Sequence, residues 1–340
     1  MRTGKVPSTI GRAMTKTNER IPYLDVARSI AVLWIVGYWH LRVYCGEDHI
    51  ISFPGDEWIT IVVLGLFMFI SGILISKYTF DHFKTDCISF YKKRLTRFYL
   101  LYAISIILLY LIGYNSLFGR FSLLTSLSMT STYLPPQHRT LWFFSMIGSF
   151  YVFTPFILKK TPSSLLYSFI IIYGGSVLIS FFSPRGIDSR FFWCFPMYLA
   201  GLCVGRKKNI LNKQISKHYW GLLFLAISIL QITLIIKHPN KFAYLEYITM
   251  PFGILFILYI SRLMSHPLII KVTSLIAYSS MSAYLFHREI YILLFDTYNS
   301  LHFNYPYWFS VVTFLPICFV ACHFIQKLYD KSISSWNHSS

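Results

Sequence analysis

Charge is scarce in this chain. Asp, Glu, Lys and Arg make up 13% of its 340 residues, about half of the quarter that a soluble domain normally carries. Acidic residues are scarcest, 13 against 31 Lys and Arg, which leaves a formal net charge of +18. An excess of that size suits a nucleic-acid partner only where the basic side chains gather into one patch or stripe. Here they fall mostly in the short segments between apolar runs, which excludes a nucleic-acid-binding face and fits the charge bias of membrane loops. The six cysteines, at positions 45, 87, 194, 203, 318 and 322, include no CxxC pair, and four lie inside apolar segments. Neither a disulfide framework nor a metal site is expected from them. The chain also lacks internal repeats, low-complexity tracts and any polar stretch long enough for a separate soluble domain.

What fills the chain is apolar. Hydrophobic residues reach 55% and aromatics 19%, gathered in ten runs at 23–44, 58–78, 98–114, 141–158, 164–182, 191–205, 218–236, 244–260, 273–295 and 306–326. Most are long enough to cross the ~30 Å hydrocarbon layer as helices, and in lipid a helix satisfies its own backbone polar groups. The expected fold is therefore all-α, a polytopic integral membrane protein with ten transmembrane helices. An arm over 1–22, a transmembrane domain over 23–328 and a tail over 329–340 complete the division. The sixth run is short and interrupted by Pro196, so a bent or incomplete span is expected there. The first run is longer than the roughly 7 to 15 apolar residues of a cleavable leader and is expected to stay as an anchor among membrane lipids. Alternating the loops places 22 Lys and Arg on the side of the termini and 6 on the other, with 3 inside the spans. That split predicts both termini in the cytoplasm. The loop at 45–57 is acidic, with Glu47, Asp48, Asp56 and Glu57, whereas 77–97 is basic, so an anionic ligand fits the cytoplasmic face better. The longest connection, Asn115 to Thr140, is rich in Ser and Thr, contains Pro135 and Pro136, and is expected to lie along the outer surface.

The first run, YLDVARSIAVLWIVGYWHLRVY, is not plain lipid filler. It carries Asp25 and Arg28 near its start and His40 and Arg42 near its end, and an ionisable group in a membrane helix is costly enough to suggest a function. Snorkelling into the head groups is the alternative for Asp25, Arg28 and Arg42, whose side chains can reach water. His40, a short imidazole between Trp39 and Leu41, reaches interfacial water less easily.

Five segments, in order, resemble a known family. They are LDVARSIA (24–31) followed by His40, similar to LDxxRxxA...H; LFMFISGILIS (66–76), similar to FFxxSGxLI; FYKKRLTRFYLLY (90–102), similar to FxxxRxxRixPxY; LWFFSMIGSFYVFTPFIL (141–158), similar to WFLSVEEQFYLLFPLL; and SMSAYLFH (280–287), similar to SYSIYLFH. Together they resemble the membrane-bound acyltransferase 3 family, which includes bacterial O-antigen and other surface-glycan O-acetyltransferases. The resemblance implies a cell inner membrane enzyme that transfers an acetyl group from cytoplasmic acetyl-CoA, a co-substrate and not a permanently bound cofactor. The acceptor it implies is a hydroxyl of a glycan or lipid-linked polysaccharide, such as lipopolysaccharide O-antigen. His40 is the expected catalytic residue, either as general base or as a covalent acyl carrier, since histidine ionises near neutral pH. Arg28, Arg94 and Arg97 are the expected donor contacts; Arg94 and Arg97, three apart on a helix, would face the phosphates together, although positive-inside anchoring also explains them. Trp142 and Tyr151 are candidates for lining the sugar path, where an interfacial aromatic belt is the plainer alternative; His287, clustered with Arg288 and Glu289 late in the ninth run, either contacts the acceptor sugar or belongs to a cluster in which Arg288 and Glu289 are interfacial. Ser71, beside Gly72, suits close helix packing better than chemistry.

Two departures from the family pattern stand out. Arg28 and His40 are twelve residues apart, about 18 Å along a helix, where eleven is usual. The extra residue would rotate His40 by about 120° relative to Arg28. The spacing therefore predicts a one-residue π-bulge near Gly37, or a His40 that points away from Arg28. The second departure is that the acidic pair usual in the fourth span is replaced by Ile147 and Gly148, which leaves Asp25 and Glu246 as candidates to supply a carboxylate. A transporter or flippase for a lipid-linked glycan is the rival from another class, since buried charges in a polytopic bundle also mark substrate paths. A different acyl group or acceptor is the rival within the same class.

Overall fold

The structure, a computed structural model, describes residues 21–45, 52–112, 120–134, 141–158, 162–182, 187–207, 212–213, 216–237, 243–300 and 307–339. Among these the chain is helical, with no strand. Pro22–Val32, a π-helical stretch Leu33–His40 and a last turn Leu41–Tyr44 form one unbroken rod, here α1. There follow α2 (Asp56–Ile75), α3 (Phe83–Leu111), α4 (Arg120–Leu127), α5 (Trp142–Leu158), α6 (Pro162–Phe182), α7 (Phe191–Arg206), α8 (His218–Lys237), α9 (Ala243–Leu263), α10 (Pro267–Ser300) and α11 (Tyr307–Ser339). Apart from the short α4, each helix coincides with one of the ten apolar runs, which is the expected polytopic all-α architecture. Six of them are long and apolar enough to cross a bilayer by length and composition, with three shorter apolar helices beside them.

The rod α1 sits at the centre. It packs on α10, α9, α2 and α11, and Ala27, Ala31, Val32, Ile35, Val36 and Leu41 are fully enclosed. Helix α2 is also an inside helix, with 72% of its apolar window buried, against 22% for α8 and for α11. The outward faces of those two carry Leu222, Ile229, Val312, Val320 and Leu328, all exposed. A helix apolar on its exposed side is stable facing hydrocarbon.

Helices α2 and α7 make the most extensive contact, and small residues are the reason. A Cβ on Gly72 would strike the Tyr198 carbonyl, one on Gly201 the Phe69 carbonyl, and one on Gly205 the Ser76 side chain. Two small-xxx-small pairs, Gly72 with Ser76 and Gly201 with Gly205, thus face each other and let the backbones touch. Start of α2 is set by a turn at Pro54 and Gly55, the latter at φ 96°. Asp56 and Glu57 then occupy the first helical turn, where carboxylates complement the exposed N–H groups.

Several expectations need amendment. The basic stretch taken as a loop at 77–97 is largely helical, since α3 begins at Phe83. The tail is also helical, because α11 runs on to Ser339. Helix α7 continues through Pro196 and is complete from Phe191 to Arg206. Residues 120–134 are partly packed into the bundle, while Leu124 and Leu134 stay exposed. Tyr102 donates to the Ser126 carbonyl at 2.8 Å, Ser131 donates to Ser145 at 2.9 Å, and Ser126, Ser131 and Thr132 are buried. The Ser131 hydroxyl and the Ser126 carbonyl tie this Ser/Thr-rich segment to the neighbouring helices, where a surface path was expected. The arm at 1–20, Glu47, Asp48, Pro135 and Pro136 lie outside the described residues.

Candidate active site

The π-helical stretch decides where His40 points. In a regular helix the twelve-residue spacing would turn His40 away from Arg28. Here Leu33–His40, with Gly37 in its middle, is π-helical, and both side chains meet α10. The Arg28 guanidinium donates to Ser280 Oγ at 3.1 Å, and His40 Nδ1 lies 2.7 Å from His287 Nε2. Ser280 and His287 are seven residues apart, two turns of one helix face. The guanidinium and the imidazole therefore share a stripe of the bundle, and their α10 partners are separated by only about 10 Å. Of the two outcomes that the spacing allowed, the π-bulge is the one observed.

Two tyrosines hold this stretch in place. Passing into and out of a π-helix leaves carbonyls without their α-helical donors. Val36 O accepts from the Tyr291 hydroxyl at 3.2 Å, and Gly37 O accepts from Tyr307 at 2.9 Å. A Cβ on Gly37 would press into Leu315 of α11, so the turn fits only with glycine or a displaced leucine. Nothing in the sequence marks Tyr291 or Tyr307 for this role, because each donor is more than 250 positions from its acceptor.

His287 is 0% exposed. Its Nδ1 is 2.9 Å from the Ala283 carbonyl and 3.0 Å from that of Tyr284, and its Nε2 faces His40. Both ring nitrogens are thus engaged inside the bundle. The reason is position: His287 sits on the inward face of α10, while Arg288 and Glu289 follow on other faces. Glu289 is not interfacial either, being 4% exposed and bonded to Ser105 at 2.7 Å. His40 is half-buried, and its ring lies against that of His287.

At the Tyr44 end of α1, Arg42 is buried and does not snorkel. It pairs with Asp56, donates to the Tyr38 hydroxyl at 3.1 Å, and lies over the Trp39 ring at 4.3 Å. Beside this pair opens a cleft of about 520 Å³, lined by Arg42, Phe53, Asp56, Glu57, Trp58 and Glu246 among others. Glu246, expected as a supporting carboxylate, is therefore a cleft residue. Asp25 is 8% exposed near the Pro22 end, 15 residues before His40. At roughly 22 Å along the rod it is too far to act on that imidazole.

The remaining candidates separate into three places. Arg94 is half-buried among aromatic rings, 5.1 Å from the centre of Tyr78, 5.8 Å from Tyr151 and 5.9 Å from Phe90. Arg97, about one turn further along α3, is exposed. Tyr151 belongs with Arg94, while Trp142 sits at the other end of α5. The Trp142 ring is covered by the Arg190 guanidinium at 3.9 Å, itself held by Asp188 at 2.8 Å. That ring face is taken by a cation. Ser71 is half-buried next to the Gly72 seam.

Residues 21–325 match a family model described as an acyltransferase domain, that of the acyltransferase 3 family. No curated protein and no solved structure matches the chain. The match covers most of the sequence, all five motifs and the whole of the site just described. The chain belongs to the acyltransferase 3 family and is a membrane acyltransferase.

Proposed function

We propose that this acyltransferase moves an acetyl group from acetyl-CoA, bound at the Pro22 end of α1, to a hydroxyl of a surface polysaccharide such as lipopolysaccharide O-antigen, entering at the Tyr44 end. The bacterial inner membrane, with both termini cytoplasmic, is the setting that the charge distribution supports. The observation that carries the reading is the shared stripe: Arg28 and His40 both face α10, despite a spacing that a regular helix would splay.

Each part of the site has a task in this scheme. Arg28, with Arg94 in its aromatic surround and Arg97 at the rim, supplies guanidinium forks for the donor's phosphates. The pantetheine arm then runs along the α1–α10 stripe to bring the thioester to His40. As a base, the imidazole accepts the proton of the acceptor hydroxyl while its oxygen attacks the thioester carbonyl. The tetrahedral intermediate collapses by breaking the C–S bond, and the leaving thiolate takes that proton. As an acyl carrier, the imidazole attacks first, the thiolate leaves, and the hydroxyl then displaces the ring from the acyl-imidazole, its proton ending on the thiol. The cleft beside Arg42 and Asp56 supports the acceptor side. Its aromatic wall and its carboxylates, Glu57 and Glu246, suit the faces and hydroxyls of a sugar. Family membership favours acyl transfer over glycan transport.

The test is to express wild type and His40→Ala in a host lacking its own copy and follow O-acetyl groups on extracted polysaccharide by proton NMR before and after mild alkali. Loss of alkali-labile acetyl by about 10³-fold in the variant, at equal membrane levels, is expected. Acetylation at the wild-type rate in the variant would remove His40 from the chemistry. No acetyl in either strain would point to another acyl group or acceptor.

A further inference from the structure

We infer that His287 is a positioning residue that fixes the tautomer of His40, holding the His40 Nδ1 proton and leaving Nε2 as the reacting nitrogen. The inference rests on the acyl-transfer reading above and deepens it at one atom.

Hydrogen-bond donors and acceptors impose the assignment. His287 Nδ1 lies 2.9 Å from the Ala283 carbonyl and 3.0 Å from the Tyr284 carbonyl. Carbonyl oxygens only accept, so this nitrogen carries a hydrogen. A neutral imidazole has one N–H, and a fully enclosed ring is held neutral by the cost of burying a charge. His287 Nε2 therefore presents a lone pair. His40 Nδ1 is 2.7 Å from it, a distance at which two lone pairs repel, so His40 Nδ1 is the donor. The rings lie within 6° of parallel with centroids 4.7 Å apart. Face-to-face rings cannot bring two nitrogens inside van der Waals separation, so the pair meets edge to edge in a common plane, the geometry of a good N–H···N bond. With Nδ1 protonated, the lone pair of His40 is on Nε2.

The same arrangement assists the reaction whichever route it takes. Both the base and the acyl carrier use an unprotonated nitrogen, and both leave the His40 ring positively charged for part of the cycle. That charge is spread through Nδ1–H to His287, whose own N–H rests on two helix carbonyls. In the usual triad a carboxylate orients the base. Among the described residues, Asp25, Glu246 and Glu289 are not hydrogen-bonded to the His40–His287 pair, and the α10 carbonyls stand at the end of the chain instead.

The experiment combines two readouts on the full-length protein. Protein with ¹⁵N-labelled histidine, reconstituted in lipid bilayers, is studied by solid-state NMR, with the His40 signals identified by their loss in His40→Ala. The expected spectrum shows His40 protonated at Nδ1, changing to a mixture or to Nε2–H in His287→Leu. In parallel, His287→Leu is expected to lower kcat about 10²-fold with the KM for the acyl donor unchanged. His287→Gln, whose Oε1 keeps an acceptor near the lost Nε2, recovers activity to within about tenfold of wild type. A wild-type His40 protonated at Nε2 would overturn the inference even if His287→Leu failed to accumulate. So would a fully active His287→Leu beside an inactive His40→Ala. Full activity in His40→Ala is a different failure, because it removes the acyl-transfer role of His40 and this inference with it.

Discussion

Two helix seams run through this bundle, and they are built on opposite principles. The α2–α7 seam is made by what is missing: Gly72, Gly201 and Gly205 have no side chains, so backbone meets backbone. The α1–α10 seam is made by what is present: Arg28 on Ser280, Ser29 on the Thr273 carbonyl, His40 on His287, and Tyr291 on the Val36 carbonyl. A small-residue seam gains van der Waals contact and holds two helices together with nothing to titrate or donate. A polar seam inside a membrane protein is costly unless every group is partnered, so polar groups survive there when they carry function. The first seam keeps the fold, and the second holds the residues proposed for the chemistry.

Breaking each seam should therefore give a different symptom. Gly201→Leu forces a branched side chain into the Phe69 carbonyl and is expected to destabilise the protein by about 3 kcal/mol. An SDS titration of the purified protein should show the earlier unfolding, with turnover per folded molecule kept. Normal stability would mean that the α2–α7 contact is looser than its glycines require. Tyr291→Phe combined with Tyr307→Phe removes both donors to the π-helical carbonyls. We expect a loss of about 2 kcal/mol in stability and about a tenfold fall in kcat as His40 shifts register. If kcat were unchanged, the tyrosines would be packing residues only. The smallest effect is expected of Ser71→Ala, a surface of the glycine seam with no place on the α1–α10 stripe. Stability within about 0.5 kcal/mol of wild type is expected, with acyl transfer unaltered. A selective drop in turnover would show that the two seams are not separate in function.

Some of the site was legible along the chain and some was not. The excess residue between Arg28 and His40 was visible as a mismatch with helical periodicity, and the π-helical stretch around Gly37 resolves it. The motif GLCVG at 201–205 carries the small-xxx-small pattern of α7, but which helix it meets is not written in it. His287 stood out as a polar residue in an apolar run, but that both its nitrogens are occupied inside the bundle was not legible there. Arg94 and Arg97 looked like a pair by spacing, and the aromatic rings of Tyr78 and Tyr151 draw only one of them inward.

By itself the sequence determined the all-helical class, the places of the spans, the family and the histidine to watch. These depend on composition, on local hydrophobic runs and on short motifs, all of which are contiguous in the chain. Tertiary structure alone decided that His40 faces His287, that Arg42 is neutralised by Asp56, and that the carbonyls of Val36 and Gly37 are capped by Tyr291 and Tyr307. Each of these is a hydrogen bond or ion pair between different helices, joining positions up to 270 residues apart. Such bonds depend on how helices rotate about their axes when they pack, and a local pattern of residues does not contain that rotation.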